Sequence, residues 1–266
     1  TENTTVTNLL EADEFKEWCE YNHKWFEKGW INSGAASDTE SYYSYIKSGQ
    51  AFSFFSDYGH PLSETDQEKN CGGTDLTMVT MGEPFATTET AAVFSYAISA
   101  GSKDPAKAMQ MLNLIETNTD MMNLLNWGEE GTDYVVEDEE NGIINYPDGV
   151  TADNVGYSFN CGWELPNQFI AYKWDGSDPQ LWDKMQEFNA SGIESKALGF
   201  VFDNSEYADQ VAALNNVISQ YSGALCSGSG DPDELLPQFL EALDDAGIDD
   251  VIAAKQEQLD AFLAKK

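Results

Sequence analysis

Apolar side chains recur every three or four positions over long parts of the chain, and this spacing predicts amphipathic helices. Residues 11–28 form one such stripe, which includes Phe15 and Trp25 and stops at Gly29. Three segments near the C-terminus repeat the spacing, and they begin at Val211, Leu236 and Ile248. The pattern therefore predicts a long first helix and an almost wholly helical C-terminal region.

Three helices are predicted to begin at Asp-Pro pairs, and the last of them is the segment that carries Leu236. The Asp oxygen can accept hydrogen bonds from the first free amides of a helix, and Pro fixes φ where no amide is needed. The pairs are Asp104-Pro105, Asp178-Pro179 and Asp231-Pro232. Ser37–Glu40 has capping-box spacing for a short helix that ends near Gly49, and Thr119 is predicted to cap a segment that Gly128 closes.

Strands are fewer and shorter. Three β-rich runs bounded by Gly, Pro or Asp are predicted strands: Ala51–Phe55, Leu76–Met81 and Ala92–Ile98. A hairpin is predicted at Asn141-Gly142, because this dipeptide favours tight turns and β-rich residues flank it. Strands interleaved with helices indicate an α/β body with a helix-rich part attached.

Charge narrows the classes of partner. The 266 residues carry 13 basic and 47 acidic side chains, a formal charge of −34, and every base is Lys. Such a chain repels nucleic-acid phosphates and anionic lipid, and it lacks the guanidinium fork that reads guanine. No hydrophobic run approaches the length of a membrane span, yet 41% hydrophobic residues suffice for a sizeable core. We therefore expect a folded, anionic protein that binds no nucleic acid.

The cysteines predict neither a zinc site nor a fixed disulfide framework. Cys19, Cys71, Cys161 and Cys226 lie far apart, and four cysteines allow three pairings among which the sequence does not choose. Free thiols with at most one bridge are favoured, and the helical position of Cys19 predicts a core thiol. The first residues show no basic leader or apolar stretch, so no signal peptide is expected in this chain.

Motifs of common enzyme classes are missing, since the sequence has no GxSxG, Walker, GxGxxG or HExxH pattern. With 47 acids, pairs of carboxylates arise by coincidence, and the run Glu137–Glu140 is typical of a solvated face. Glu83, between Gly82 and Pro84, and Glu164, beside Trp163, are better candidates for a functional carboxylate. Each of them also has an ordinary interpretation as a turn or surface residue.

Several stretches together resemble the family 1 extracellular solute-binding proteins of bacterial ABC transporters, within an oligosaccharide-binding lipoprotein subgroup of Gram-positive bacteria. Ile46–Tyr58 is similar to the segment in which a helix ends in Lys-x-Gly, a strand follows and an aromatic residue enters the ligand cleft. The other stretches that carry the resemblance are Gly82–Phe85, Tyr96–Asn113, Asn123–Tyr134 and Gly199–Asp260.

This resemblance implies an α/β, periplasmic-binding-protein-like two-lobe fold of type II, of which this chain would be the helix-rich C-terminal portion. Members are as a rule roughly twice this long, and their N-terminal half carries the lipid-anchor cysteine. Residues 1–75 and 129–266 would belong mainly to lobe two, and residues 76–128 would return through lobe one near the hinge. The full-length protein would be a membrane-anchored lipoprotein at the cell surface, outside the cell.

The same resemblance implies a carbohydrate site. An aromatic ring stacks on the apolar face of a sugar while amides and carboxylates bind its hydroxyls. The resemblance makes Tyr58 the stacking platform and Asp57 a hydroxyl acceptor. From the residues themselves, Trp163 in the polar stretch Asn160–Gln168 and Trp127 at a helix end are further candidates, and Glu83 and Glu164 are candidate carboxylates.

The expected ligand is a neutral oligosaccharide, because a chain without Arg cannot offer bidentate pairing to phosphate or carboxylate groups. The expected partners are this sugar and the ABC permease, with no cofactor, no metal, no enzymatic activity and a monomeric state. Two alternatives stay open. One is an acidic secreted glycoside hydrolase that uses Glu83 or Glu164, and the other is a surface adhesion or scaffold domain without a pocket between Tyr58 and Trp163.

Overall fold

A computed structural model describes residues 3–56 and 59–266 of the chain. Within them the fold is helix-rich α/β with two small sheets. The helices are α1 (Asp13–Glu27), α2 (Tyr42–Lys47), α3 (Ser63–Asn70), α4 (Thr88–Ala91), α5 (Pro105–Thr117), α6 (Thr119–Trp127), α7 (Leu181–Ser191), α8 (Ala208–Ser227), α9 (Pro232–Asp245) and α10 (Ile248–Leu263). The strands are β1 (Phe85–Ala86), β2 (Val135–Asp138), β3 (Ile143–Asn145), β4 (Lys173–Trp174) and β5 (Ile193–Glu194).

The main hydrophobic core lies where α1 packs on the C-terminal helices. Phe239 of α9 is buried and stacks on Tyr221 of α8, with ring centroids 5.2 Å apart. Cys19 of α1 is buried in this core, and burial raises the pKa of its thiol to about 11. The four cysteines are free thiols, in agreement with the interpretation that the sequence favours.

A close approach between α1 and the end of α8 fixes this packing. Gly228 ends α8 in the left-handed region with φ +73°, a conformation that glycine adopts without steric cost. A Cβ atom at this position would lie 2.2 Å from the Asn22 carbonyl oxygen of α1. The side chain of the adjacent His23 places Nδ1 2.8 Å from the Gly228 carbonyl oxygen and adds a second contact at this approach.

Two of the three Asp-Pro pairs cap helices as predicted. Asp104 accepts a hydrogen bond from Lys107 N at 3.0 Å, and Asp231 accepts one from Asp233 N at 2.9 Å. At Asp178 a similar bond forms from the Gln180 amide at 2.9 Å, but α7 begins only at Leu181, so Asp178 does not cap it.

Two other predicted helix starts are corrected. The residue that caps α6 is Asn118 rather than Thr119, since the Asn118 side chain accepts from Met121 N at 2.7 Å. The cap of α2 is Ser41, because the Asp38 side chain within Ser37–Glu40 closes a local turn with the Glu40 amide instead.

The predicted hairpin forms the centre of the larger sheet. Strand β2 pairs antiparallel with β3, which pairs parallel with β4. The register places Val136 opposite Ile144 and then Asp138 opposite Ile143, so Glu137 bulges and the connection is longer than a two-residue turn. Ile144 is fully buried beside Trp127 and Tyr134 in a second core cluster.

The three other predicted strands do not form among the described residues. Residues 51–55, 76–81 and 92–98 have no ladder partner there, and Phe52 and Val79 are exposed. The backbone amides and carbonyls of a strand need hydrogen-bond partners on an adjacent strand. A segment of β-rich composition therefore does not form a strand when no other strand lies beside it. Between residues 76–81 and 92–98 the only strand that the chain forms is the short β1, which pairs parallel with β5 through Phe85 and Ile193.

None of the helices in the described part of the chain is both long and apolar enough to cross a bilayer.

Candidate functional site

A pocket of about 680 Å³ lies between the segment that leads into α5 and the loop that precedes β4. This volume falls within the range of small-molecule sites, about 300–1,000 Å³. Its lining combines aromatic, aliphatic and amide side chains. The lining residues are Thr90, Ala91, Val93, Phe94, Tyr96, Met109, Leu112, Asn113, Glu116, Trp163, Leu165, Pro166, Asn167, Gln168, Phe169 and Asn189.

Trp163 provides the largest aromatic surface of this pocket. It lies in a short 3-10 turn, Gly162–Glu164, and 54% of its surface is exposed. Phe94 and Tyr96 on the facing segment are each 51% exposed. Exposed rings that face a common concave space are typical of a site that stacks on a flat apolar ligand surface.

The polar lining is neutral apart from one carboxylate. Asn113 and Glu116 lie three residues apart on α5, so their side chains share one helix face. The Asn167 amide nitrogen donates to the Glu116 backbone carbonyl at 2.9 Å and ties the loop to the end of α5. Among the described residues that line the pocket, Glu116 is the one ionisable acid and there is no Lys.

Beneath the loop, Cys161 is half-buried, and burial raises the pKa of its thiol, with a further contribution from the nearby Glu164 carboxylate. The thiol is therefore protonated near neutral pH. No group of three or more His, Cys, Asp and Glu side chains in the described residues is arranged to hold a metal ion.

The structure brings Trp163 into the pocket, whereas Trp127, Glu83 and Glu164 are not among its lining residues. Glu164 contacts the pocket-lining residue Tyr96 through its backbone, since the Tyr96 hydroxyl donates to the Glu164 carbonyl oxygen. Glu83 is exposed and does not line the pocket. Asp57 and Tyr58 lie outside the described residues.

Trp127 is a core residue rather than a lining residue. It is 7% exposed, and its ring meets Trp174 edge to face at a centroid distance of 5.3 Å. The sequence suggested a ligand contact because Trp127 ends a helix beside two acids, but the β2–β3–β4 sheet covers this helix end. Trp127 therefore does not line this pocket.

Sequence reasoning missed most of the polar and aromatic lining. Phe94 and Tyr96 fell within the predicted strand 92–98, where alternation would place both on one face, but no ligand contact was predicted for them. Asn113 and Glu116 share one helix face, a signal that the sequence contained. Asn167 lies within the polar stretch that contains Trp163, yet its contact with α5 joins residues that are 51 positions apart in the sequence.

Comparison with known proteins places this geometry in context. Residues 196–264 match a family described as a domain of unknown function (DUF3502). A carbohydrate ABC transporter substrate-binding protein of Streptococcus pneumoniae is 29% identical, over 99% of this chain and 52% of the relative. The N-glycan transport solute binding protein (NgtS) of Streptococcus pneumoniae matches with a TM-score of 0.81 and 27% identity, over 100% of this chain and 58% of its own.

The resemblance to solute-binding proteins of ABC transporters is confirmed. The predicted fold class is confirmed with it, because the chain has the fold of the matching part of a solved solute-binding protein. The same protein has been solved in complex with Man1GlcNAc and with Man5GlcNAc, with TM-scores of 0.76 and 0.74 to this chain and identities of 25% and 27%. These matches cover 99% and 100% of this chain and 58% and 57% of the solved chains.

The chain spans about half the length of the relatives that it matches. The boundaries of the lobes, at residues 75 and 128, remain predictions.

Proposed function

We propose that this chain is part of an extracellular solute-binding protein of an ABC importer, and that it holds a neutral oligosaccharide in the pocket beside Trp163. One observation carries the proposal: an exposed Trp ring faces amide groups in a concave site, within a fold whose solved relative was crystallised with glycans. The Trp163 ring would stack on the C–H face of a sugar ring.

The polar lining favours uncharged ligands. Asn113, Asn167 and Gln168 offer both donors and acceptors to hydroxyl groups, and Glu116 offers acceptors. A phosphate or carboxylate on the ligand would meet this carboxylate without a Lys among the described lining residues, and the chain has no Arg. Electrostatic repulsion would therefore select against acidic sugars.

The position of the pocket supports the proposed two-lobe arrangement. Phe94 and Asn113 come from the predicted lobe-one return, residues 76–128, and Trp163 comes from the predicted lobe two. A ligand between them would favour hinge closure, as in other two-lobed binding proteins. The permease partner, the lipid anchor, the cell-surface location and the monomeric state belong to this proposal, as do the roles of Asp57 and Tyr58.

Isothermal titration with neutral oligosaccharides, Man5GlcNAc among them, tests the proposal. We expect Trp163→Ala to weaken binding about tenfold or more, because it removes the main stacking surface. Trp30→Ala is the matched control, since Trp30 is 69% exposed but lies outside the pocket lining. The proposal is wrong if the protein binds no saccharide while a peptide or a metal ion binds.

The relatives are named as binding proteins, and we propose the same non-enzymatic role for this chain. A glycosidase needs two carboxylates about 5–10 Å apart across the scissile bond. The described lining supplies Glu116 alone, and the candidate Glu83 is exposed outside the pocket. Release of product from a chromogenic glycoside, abolished by Glu116→Gln, would instead establish a hydrolase.

A further inference from the structure

The end of α6 fixes the path of the chain toward Trp163. A helix leaves its last carbonyl groups without partners inside the helix. In α6 these carbonyls accept from the loop: Leu125 O accepts from the Tyr157 hydroxyl at 2.7 Å, and Asn126 O accepts from the amides of Phe159 and Asn160 at 3.0 and 3.2 Å. The loop is thus attached to a helix end rather than to a strand.

The backbone turns sharply at this attachment. Asn160 has φ +49° and is the one non-glycine residue with positive φ in the described part of the chain. Asn tolerates this region better than most side chains, but the conformation still costs free energy and persists only where neighbouring contacts enforce it. Here it directs the chain into the turn Gly162–Glu164, which carries Trp163.

The side chain of Asn126 supports that turn from below. It is 2% exposed, and a Cβ atom on the buried Gly162 would lie 3.1 Å from Asn126 Nδ2. The Oδ1 atom of Asn126 is buried and has no hydrogen-bond partner among the described residues. A buried amide oxygen without a partner lowers stability, so stability does not explain an Asn at position 126. The contact of its side chain with Gly162 does give the residue a role.

Two further contacts hold the far side of the loop. The Tyr96 hydroxyl donates to the Glu164 carbonyl oxygen, and Asn167 Nδ2 donates to Glu116 O. The loop is therefore fixed at both flanks, and between these attachments the Asn126 amide lies directly against the backbone of Gly162.

We propose that Asn126 is a positioning residue for Trp163: the size of its side chain beneath Gly162 sets the position of the Trp163 ring in the pocket and thereby the affinity for a saccharide. The statement about affinity rests on the proposed function. The statement about ring position does not depend on it.

A compensating pair of substitutions tests this role. Gly162→Ala adds a methyl group that would lie 3.1 Å from the Asn126 amide nitrogen and 3.4 Å from Gln168 Cβ, so the amide must shift slightly, and Asn126→Ala removes that amide. We expect each single variant to bind Man5GlcNAc about fivefold more weakly, and the double variant to return within about twofold of the original protein, because contacting residues are non-additive. Gly34→Ala is the control, since its Cβ would lie 3.8 Å from its nearest contact, Asn32 Oδ1, outside the pocket lining.

A second measurement separates positioning from general stability. In protein labelled with 5-fluorotryptophan, the ¹⁹F signal of Trp163 is assigned by its loss in Trp163→Phe. We expect Gly162→Ala to shift this signal and the double variant to restore it. Asn126→Ser replaces Asn126→Ala should the latter not fold.

The proposal is overturned if the single variants lower the melting temperature but leave the Trp163 signal and the saccharide affinity unchanged, or if the two effects simply add. Absence of saccharide binding to the unmodified protein would refute the proposed function, and the ¹⁹F signal would still decide the positioning role.

Discussion

The C-terminal helices bury their apolar side chains, whereas the central segment from residue 76 to residue 117 leaves many of its apolar side chains exposed. Leu236, Phe239 and Leu243 of α9 are buried against α1 and α8. In the central segment Val79 is 76% exposed and Met81 is 81% exposed, and no residue of the 13-residue α5 is buried. Both regions are rich in apolar residues, so composition does not explain the difference.

The difference lies in where each element finds its partners. A helix makes its backbone hydrogen bonds internally and needs a neighbour only to cover its apolar face. The helices α1, α8, α9 and α10 cover one another's apolar faces. The predicted strands 76–81 and 92–98 need neighbouring strands that no described residue supplies. An apolar pattern thus predicts burial only where the covering element is present.

The sharpest way to break this comparison is to delete the same side chain in both regions. Leu243 of α9 is fully buried, whereas Leu114 of α5 is 39% exposed. We expect Leu243→Ala to lower the free energy of unfolding by about 3–5 kcal/mol and Leu114→Ala by about 1 kcal/mol or less. Urea denaturation measures both, and equal losses would contradict the contrast between the two regions.

A glycine pair tests the close packing of the C-terminal region. Gly228→Ala combines a strained φ with a contact to the Asn22 carbonyl, and we expect a loss of about 2–4 kcal/mol. Gly49 has the similar φ of +70° and open space around it, so Gly49→Ala should cost only the backbone strain, about 1–2 kcal/mol. Thermal unfolding distinguishes the two, and a smaller effect at Gly228 would refute the close approach of α1 and α8.

The two Asp-Pro caps sharpen the comparison at the level of single helices. Removal of an N-cap costs about 0.5–2 kcal/mol. We expect Asp231→Ala to lower global stability by this amount, because α9 is part of the main core. Asp104→Ala should increase hydrogen exchange in the first turns of α5 while the global midpoint stays nearly constant, since α5 buries no residue. A global loss in Asp104→Ala would show that α5 is part of the cooperative core.

The smallest expected effect depends on pH. A hydrogen bond from the Ser205 side chain, with a second from the Ser205 amide, lowers the pKa of Asp203, which precedes α8. A carboxyl group with a lowered pKa in the folded state adds stability above its unfolded pKa, and this stability is lost as pH falls through the folded value. Asp203→Asn should therefore melt slightly lower than the original protein at pH 7 and at the same temperature near pH 2. A constant gap across this range would contradict the assignment.

The sequence by itself determined the elements whose cause is local. The caps at Asp104 and Asp231, the helical C-terminal region and the β2–β3 hairpin depend on spacing and turn residues within a short stretch. Trp163 was found in the same way, because a large ring within a polar stretch indicates exposure without knowledge of the fold.

The tertiary structure alone decided which apolar and polar residues meet. It placed Trp127 in the core beside Trp174, although its sequence neighbours suggested a ligand contact. It brought Asn167 into contact with the Glu116 carbonyl at the end of α5, and it gave the predicted strands of the central segment no partner among the described residues. The physical reason is that helix caps and turns are satisfied by nearby residues, whereas sheet pairing, burial and pockets depend on segments far apart in the chain.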